Sequence, residues 1–256
     1  MVANRIDRPV ILPFYSRKQE NNSSSLISSA PGAQAKEALV LEHMKETYAG
    51  ETIVVVNDEK PENQSKLWRV VNKLKEFDSI QEIAVLKTKE GYIDKELFKS
   101  KIDTQGKNWV LLVSDEIVTT AASVNNLKLY ADWVDIDFFA LDKGRNFEAI
   151  DNIFLGKLNF VFPSEEFVDY DSQHFQDFYS SYRRKNFADP TRFAIRGFDV
   201  VYDAIVRYNC FEGMENSMDA GKSSRISGIF NYTLNERGIR ENTGLYLIQY
   251  TPDAHA

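Results

Sequence analysis

Thr52-Ile53-Val54-Val55-Val56-Asn57-Asp58 is the stretch whose reading decides the fold class. Thr52 to Val56 are all β-branched, and no polar position interrupts the four that follow Thr52. A strand with no polar face must be covered on both sides, which is the condition of a strand inside a parallel sheet. Asn57 and Asp58 stop the run, and Pro61 stands where a helix opens. The same alternation repeats downstream. Strands are expected at Ile83-Ala84-Val85-Leu86, Asn108 to Val113, Asp135 to Leu141 and Leu158 to Phe162. The intervening helices carry Leu67, Trp68, Val71 and Leu74, then Leu97, Phe98 and Ile102 behind an Asp94 cap, then Glu116 to Tyr130. Asn146 to Phe154 fits one or two helical turns. Strands and helices alternating at this length imply right-handed crossovers and a parallel sheet. The fold class is therefore α/β, with a doubly wound parallel sheet.

The flanks are less regular. Upstream, Arg8 to Phe14 reads as a short strand between two prolines, Arg17 to Ser25 as a polar loop, and Ser25 to Ser29 as a second extended piece. Pro31 opens a helix that runs to about Tyr48, and Gly50 closes it. Downstream of Pro163, Asp171 to Lys185 is an aromatic-rich amphipathic helix with Phe175, Phe178, Tyr179 and Tyr182. A further helix from Pro190 to about Phe211 has Phe193, Phe198, Val201, Ile205 and Tyr208 as its apolar stripe. Cys210, the single cysteine, falls in that pattern and is expected to be a buried, inert thiol. Ile226 to Thr233 and Gly244 to Tyr250 alternate apolar and polar residues around a turn-rich segment, which predicts a C-terminal β-hairpin.

The net charge of −7, from 31 basic and 38 acidic residues, argues against nucleic acid or an anionic membrane as the main partner, since both require a cationic surface. Arg183-Arg184-Lys185 is the one compact basic group, and it reads as a solvated helix end. No stretch approaches the roughly 18–20 apolar residues of a membrane-spanning helix, and the N-terminus has no apolar signal-peptide core. His43, His174 and His255 show no metal-ligand spacing. Gly221-Lys222-Ser223-Ser224 lacks the leading glycine and strand of a phosphate loop. No nucleophile or paired-carboxylate arrangement emerges, so neither an enzyme nor a cofactor is expected. Ligands of open α/β sheets bind outside the carboxyl ends of the strands, which makes Asn57 and Asp115 candidate ligand-binding residues. Asp58 with Asp115 also permits a receiver-like reading, two acids holding a magnesium ion. Ala140-Leu141 and Phe162-Pro163 stand where that design places a hydroxyl residue and a lysine followed by proline.

Several segments together resemble the type 1 periplasmic binding proteins. Ala194-Ile195-Arg196-Gly197-Phe198-Asp199-Val200 is similar to that family's helical Ala-x-x-Gly-aromatic-Asp pattern. Pro9 to Ser16 resembles its Pro-Val-Ile strand and loop, and Leu26 to Pro31 the strand that follows. Phe160-Val161-Phe162-Pro163 and Leu245 to Tyr250 fit later strands. The combination looks closest to the binding-protein-like domain found in Bacteroidota envelope proteins behind LysM repeats. The resemblance implies a non-catalytic module of the periplasm or cell envelope, with two lobes closing on a small ligand. It implies that residues 1–36 and 164–213 form a partial first lobe, and 37–163 and 214–256 the second lobe with the hairpin. It also implies that most of the first lobe is missing, so a missing segment, a partner chain or a homodimer is expected to cover it. Ser16, Ser28 and Ser29 stand at or near positions whose hydroxyls hold a ligand carboxylate, though loop and cap chemistry is the other use for such serines. Gly156-Lys157 stands where relatives carry the acid that holds an ammonium group, which leaves an amino-acid ligand open. A ligand-free interaction module of the same fold is the alternative.

Overall fold

The computed structural model describes residues 9–13, 26–77, 80, 82–211, 216–217, 220–235 and 239–252. The chain separates into two compact units, Met1–Ala35 with Ser164–Tyr246, and Lys36–Pro163 with Leu247–Ala256.

The second unit is organised by the run at Thr52. It holds most of helix α1 (Ala33–Thr47), then β3 (Thr52–Asn57), α2 (Pro61–Lys75), β4 (Ile83–Lys87), α3 (Lys95–Lys99), β5 (Asn108–Leu112), α4 (Ile117–Leu127), β6 (Ile136–Ala140), α5 (Asn152–Lys157) and β7 (Val161–Ser164). The strand β12 (Tyr246–Gln249) completes a six-stranded sheet in the order β12-β7-β6-β5-β3-β4. All pairs from β4 to β7 are parallel, with Ile53 opposite Ile83 and Trp109. Successive residues of β3 point to opposite faces. Val54 and Val56 pack with Val110, Leu112, Phe138 and the helix residues Phe98, Leu127 and Leu155. Ile53 and Val55 pack with Trp109, Leu111, Phe139 and the residues Met44, Leu67, Val70 and Leu74. Each such side chain contributes roughly 1.5–3 kcal/mol when fully buried, which is why the run carries no polar position. Trp68 was expected among the buried residues of α2, but it is 62% exposed. Val70 joins Leu67, Val71 and Leu74 on the inward stripe in its place.

The first unit contains β1 (Val10–Leu12), β2 (Leu26–Ser28), α6 (Gln173–Asn186), α7 (Arg192–Cys210), β8 (Ser223–Ser224), β9 (Ile229–Phe230), β10 (Tyr232–Leu234) and β11 (Arg240–Asn242). Its main sheet runs β1-β2-β11-β10, parallel except for the antiparallel β10–β11 pair. The hairpin is thus formed by β10 and β11. The expected second arm, Gly244 to Tyr250, instead supplies β12 to the other sheet, where Tyr250 N donates to Phe160 O at 2.8 Å. Residues 214–246, expected with the second lobe, group with the first unit, because β11 pairs with β2.

Helix α7 turns the expected stripe outward. Val201 is 58% and Ile205 53% exposed, while Arg196, Asp199, Asp203 and Arg207 are buried. Those four are spaced 3, 4 and 4 apart, one face of a helix. The burial of Asp199, Asp203 and Arg207 is sustained by dense pairing, while Arg196 donates from Nη2 to Ser29 O and lies over the Phe230 ring. The Asp199 carboxylate accepts from the backbone N–H groups of Ile226, Ser227 and Gly228 at 3.0, 2.7 and 3.0 Å. Asp203 binds Arg207 and Arg225, each at 2.8 Å. Arg207 also donates to the carbonyls of Ser217, Gly221 and Phe230. Cys210, the last residue of this helix, is exposed rather than buried. Arg183, Arg184 and Lys185 form the last turn of α6, as a solvated helix end requires.

Candidate ligand-binding site

The strand order of the second unit has one reversal. From β3 the chain goes to β4 on one side and then to β5 on the other. The helices that follow, α2 and α4, therefore leave opposite faces of the sheet, and a crevice opens between the carboxyl ends of β3 and β5. Ligands of open α/β sheets bind at such a reversal.

Polar side chains line that edge in a connected order. Asn57, the last residue of β3, is buried. Its Oδ1 accepts from Asp58 N at 2.6 Å and its Nδ2 donates to Asn63 O at 2.9 Å, which folds the β3–α2 turn back on the strand. Asp58 is also buried. It accepts from Lys60 N at 2.8 Å, from Asn63 Nδ2 at 2.8 Å and from the Ser114 hydroxyl. Asn63 Nδ2 reaches Asp115 as well, at 3.0 Å, so the two strand ends are joined through the first turn of α2. Asp115 itself is exposed. The hydrogen bond from Asn63, aided by Lys66 and Lys60, holds its carboxyl below the usual carboxylate range against the opposing effect of burial. Lys60 and Glu116 form an ion pair across the same crevice. Below the rim, Thr88 and Thr119 share a 3.1 Å hydrogen bond, and Asn146 donates to Thr120 Oγ1 at 2.8 Å.

The arrangement presents one ionised, solvent-facing carboxylate, Asp115, on a rigid and internally satisfied frame. It can accept a hydrogen bond or pair with a cation. It has no nucleophile–base pair, and among the described residues no group of three metal-ligating side chains occurs. Asp58, the other acid of the receiver-like reading, is already engaged by three donors. Lys157, next to Gly156, pairs with Asp132 at 2.9 Å where α5 leads into the amino end of β7. It stands at the opposite edge of the parallel sheet from Asp115.

Of the other expected site residues, Ser16 lies outside the described residues. Ser28 and Ser29 lie in the first unit, and both are buried. The Ser28 hydroxyl donates to Ala30 O at 3.1 Å and the Ser29 hydroxyl to Leu12 O at 2.8 Å. Ser29 O accepts from Arg196 Nη2 at 2.6 Å and from Asn242 Nδ2 at 3.0 Å. Asn63 and Ser114 were not singled out from the sequence. Asn63 sits in a helix and Ser114 in a loop, and only the adjacency of β3 and β5 brings them to Asp58.

No protein-family model and no curated protein matches the chain. Solved structures do. An ABC transporter substrate-binding protein from Desulfitobacterium hafniense, in complex with Leu, aligns over 90% of this chain and 66% of its own, with a TM-score of 0.53 at 13% identity. The chain has a periplasmic-binding-protein-like fold. A putative branched-chain amino acid ABC transporter protein from Rhodospirillum rubrum aligns over 91% of this chain and 67% of its own, with a TM-score of 0.57 at 12% identity. LpoA of Haemophilus influenzae aligns over 89% of this chain and 39% of its own, with a TM-score of 0.50 at 11% identity. The chain thus spans two thirds or less of the length of these structures. At such identities the likeness concerns the periplasmic-binding-protein-like fold alone. Among the described residues no helix is long and apolar enough to cross a membrane.

Proposed function

We propose that the chain is a non-catalytic solute-binding module from the periplasm or cell envelope, and that a small ligand contacts Asp115 at the carboxyl edge of β3 and β5. The observation that carries this reading is the exposed, ionised Asp115 at the sheet's one reversal, fixed by Asn63 to a buried Asp58. A carboxylate there selects a ligand that presents a hydrogen-bond donor or an amine. Amino-acid binding, named for several of the structures with this fold, fits that chemistry. Asn57 spends its side-chain donor on the main chain, so in this reading it shapes the β3–β5 edge and leaves direct contact to Asp115, while the Ser28 and Ser29 hydroxyls are spent on carbonyls of the first unit. The same satisfaction favours a second reading, an interaction module that keeps the fold without a ligand.

A thermal-shift screen with amino acids, amino sugars and muropeptides separates the two. Stabilisation of several degrees by one compound, lost in Asp115→Asn, supports binding, because a ligand at about 100 times its Kd adds about 2.7 kcal/mol. No shift with any compound at millimolar concentration overturns the binding reading and leaves the interaction module.

A further inference from the structure

Helix α6 hands over to α7 through a short turn, and every residue from Arg183 to Phe193 except Pro190 is exposed. Phe187 ends α6 with φ 54°, and its N–H donates to Arg183 O at 2.9 Å. Glycine or asparagine is the usual residue in such a left-handed cap, because a Cβ crowds the backbone there. Here the residue is an aromatic, and it is 92% exposed. Phe193, in the first turn of α7, is 62% exposed, with the Arg192 guanidinium 5.5 Å from its ring centre. The turn itself is tied down. The Tyr179 hydroxyl donates to Asp189 at 2.7 Å, and the Thr191 side chain caps α7 by accepting from Ala194 N. A fixed turn thus presents Phe187 to solvent in a costly conformation, and with so little of the ring covered, packing within the chain does not offset that cost.

The charge around the two rings says what they meet. From 183 to 193 the chain holds Arg183, Arg184, Lys185 and Arg192 against the single acid Asp189, although the whole protein is at −7. Arg183 faces Asp189 at 3.6 Å and Arg192 faces Glu166 at 3.7 Å, so Arg184 and Lys185 carry the surplus. Cations at a helix C-terminus are ordinary by themselves, and so is a single exposed apolar side chain. Two exposed phenyl rings within one cationic turn of an acidic protein are not. An anionic bilayer surface supplies both complements, phosphates for the cations and, about 5–10 Å deeper, an apolar layer for the rings. The rings also stand at the end of the α6–α7 pair, whose Phe178 and Phe198 meet at 4.8 Å, and such a tip suits a flat, fluid surface. We propose that the α6–α7 turn docks on an anionic lipid surface, with Phe187 and Phe193 entering the boundary below the headgroups and Arg183, Arg184 and Lys185 lying against lipid phosphates. Among the described residues no helix is long and apolar enough to cross a bilayer, so the contact is interfacial. The proposal does not rest on a ligand at Asp115.

Flotation with lipid vesicles tests it. The chain is expected to float with equimolar phosphatidylglycerol and phosphatidylcholine, and to stay behind with phosphatidylcholine alone. Phe187→Gly relieves the left-handed cap, so this variant keeps the fold and isolates the ring. Its partition coefficient on the mixed vesicles is expected to fall at least about tenfold, as for the loss of one buried aromatic side chain. The double variant Arg184→Gln, Lys185→Gln is expected to lose at least about tenfold as well. Salt at about 1 M, where the screening length is about 3 Å, is expected to weaken binding of the wild type. Phe187→Trp is expected to keep binding and to shift its emission to the blue on the mixed vesicles. Equal flotation of wild type and Phe187→Gly, or no flotation with the mixed vesicles, overturns the proposal. If the vesicles fail and soluble polyglutamate binds instead, the turn belongs to an acidic protein partner and the proposal falls. A failed ligand screen leaves all of these outcomes unchanged.

Discussion

Asn63 donates from one side-chain nitrogen to two carboxylates, Asp58 at 2.8 Å and Asp115 at 3.0 Å. The two acids terminate neighbouring strands, so this amide is the link between the ends of β3 and β5. Asn63→Ala removes the donor and leaves the buried Asp58 short of a partner. Loss of a hydrogen bond to a buried charged group costs about 1–3 kcal/mol, and urea denaturation is expected to show a loss in that range. The Asp115 carboxyl is expected to move up toward its ordinary value, since the Asn63 hydrogen bond is the main cause of its depression. An NMR titration of the Asp115 side chain checks the second effect separately from the first.

Glu37 on α1 is buried and takes three hydrogen bonds from Arg69, at 2.7 to 3.1 Å, and one from Lys73. Burial by itself favours the neutral acid, but Arg69 and Lys73 outweigh it and hold the carboxyl below its usual range. A depressed folded value means that the paired carboxylate adds stability above the unfolded pKa, near 4.5. That contribution fades as pH falls through the folded value. Arg69 and Lys73 are each more than a third exposed, so solvent screening limits the contribution to about 1 kcal/mol. Glu37→Gln is therefore expected to lower Tm at pH 7 and to make the melting curve less pH-dependent between about pH 5 and 3. Melting wild type and variant across that range checks it.

Asp203 neutralises two arginines at the centre of the first unit. Replacing it with alanine leaves Arg207 buried without its counter-ion, and breaking such a pair costs about 3–5 kcal/mol. Equilibrium denaturation is expected to show the first unit of Asp203→Ala unfolding at lower denaturant, with the second unit's transition in place. Arg225→Ala removes a partner that is itself partly exposed and is expected to cost less than half as much.

These elements also show what sequence pattern can carry. The run at Thr52 was legible because every one of its side chains from Ile53 to Val56 is buried, on one face or the other. Burial on both faces leaves a one-dimensional signature that needs no knowledge of neighbours. Helix α7 shows the converse. An apolar stripe tells which residues share a face, but not that this face looks inward. The contrary signal was present in the sequence. Arg196, Asp199, Asp203 and Arg207 also share a face, and their partners distant in sequence, Ser29 for Arg196 and Ser217, Arg225 and Ile226 among those of the other three, make that face the buried one. Asn57 and Asp115 were legible as strand ends next to helix starts. Asn63 was not, because its role depends on β3 and β5 being adjacent, and that adjacency is set by strand order, not by any local pattern.

Two helical glycines make opposite predictions. Gly156 in α5 faces the backbone of the C-terminal segment, and a Cβ there would lie 2.7 Å from Thr251 O. A carbonyl oxygen cannot swing aside as a side chain can, so Gly156→Ala must push the segment or the helix outward. Overpacking of this kind costs about 1–3 kcal/mol. Gly197 in α7 has open space at the same position and no positive φ to preserve. There alanine keeps the helix and removes backbone freedom from the unfolded chain, a gain of about 0.4–1 kcal/mol. Chemical denaturation of the two variants is expected to move the midpoint in opposite directions. A destabilised Gly197→Ala in this chain refutes the open geometry at that site.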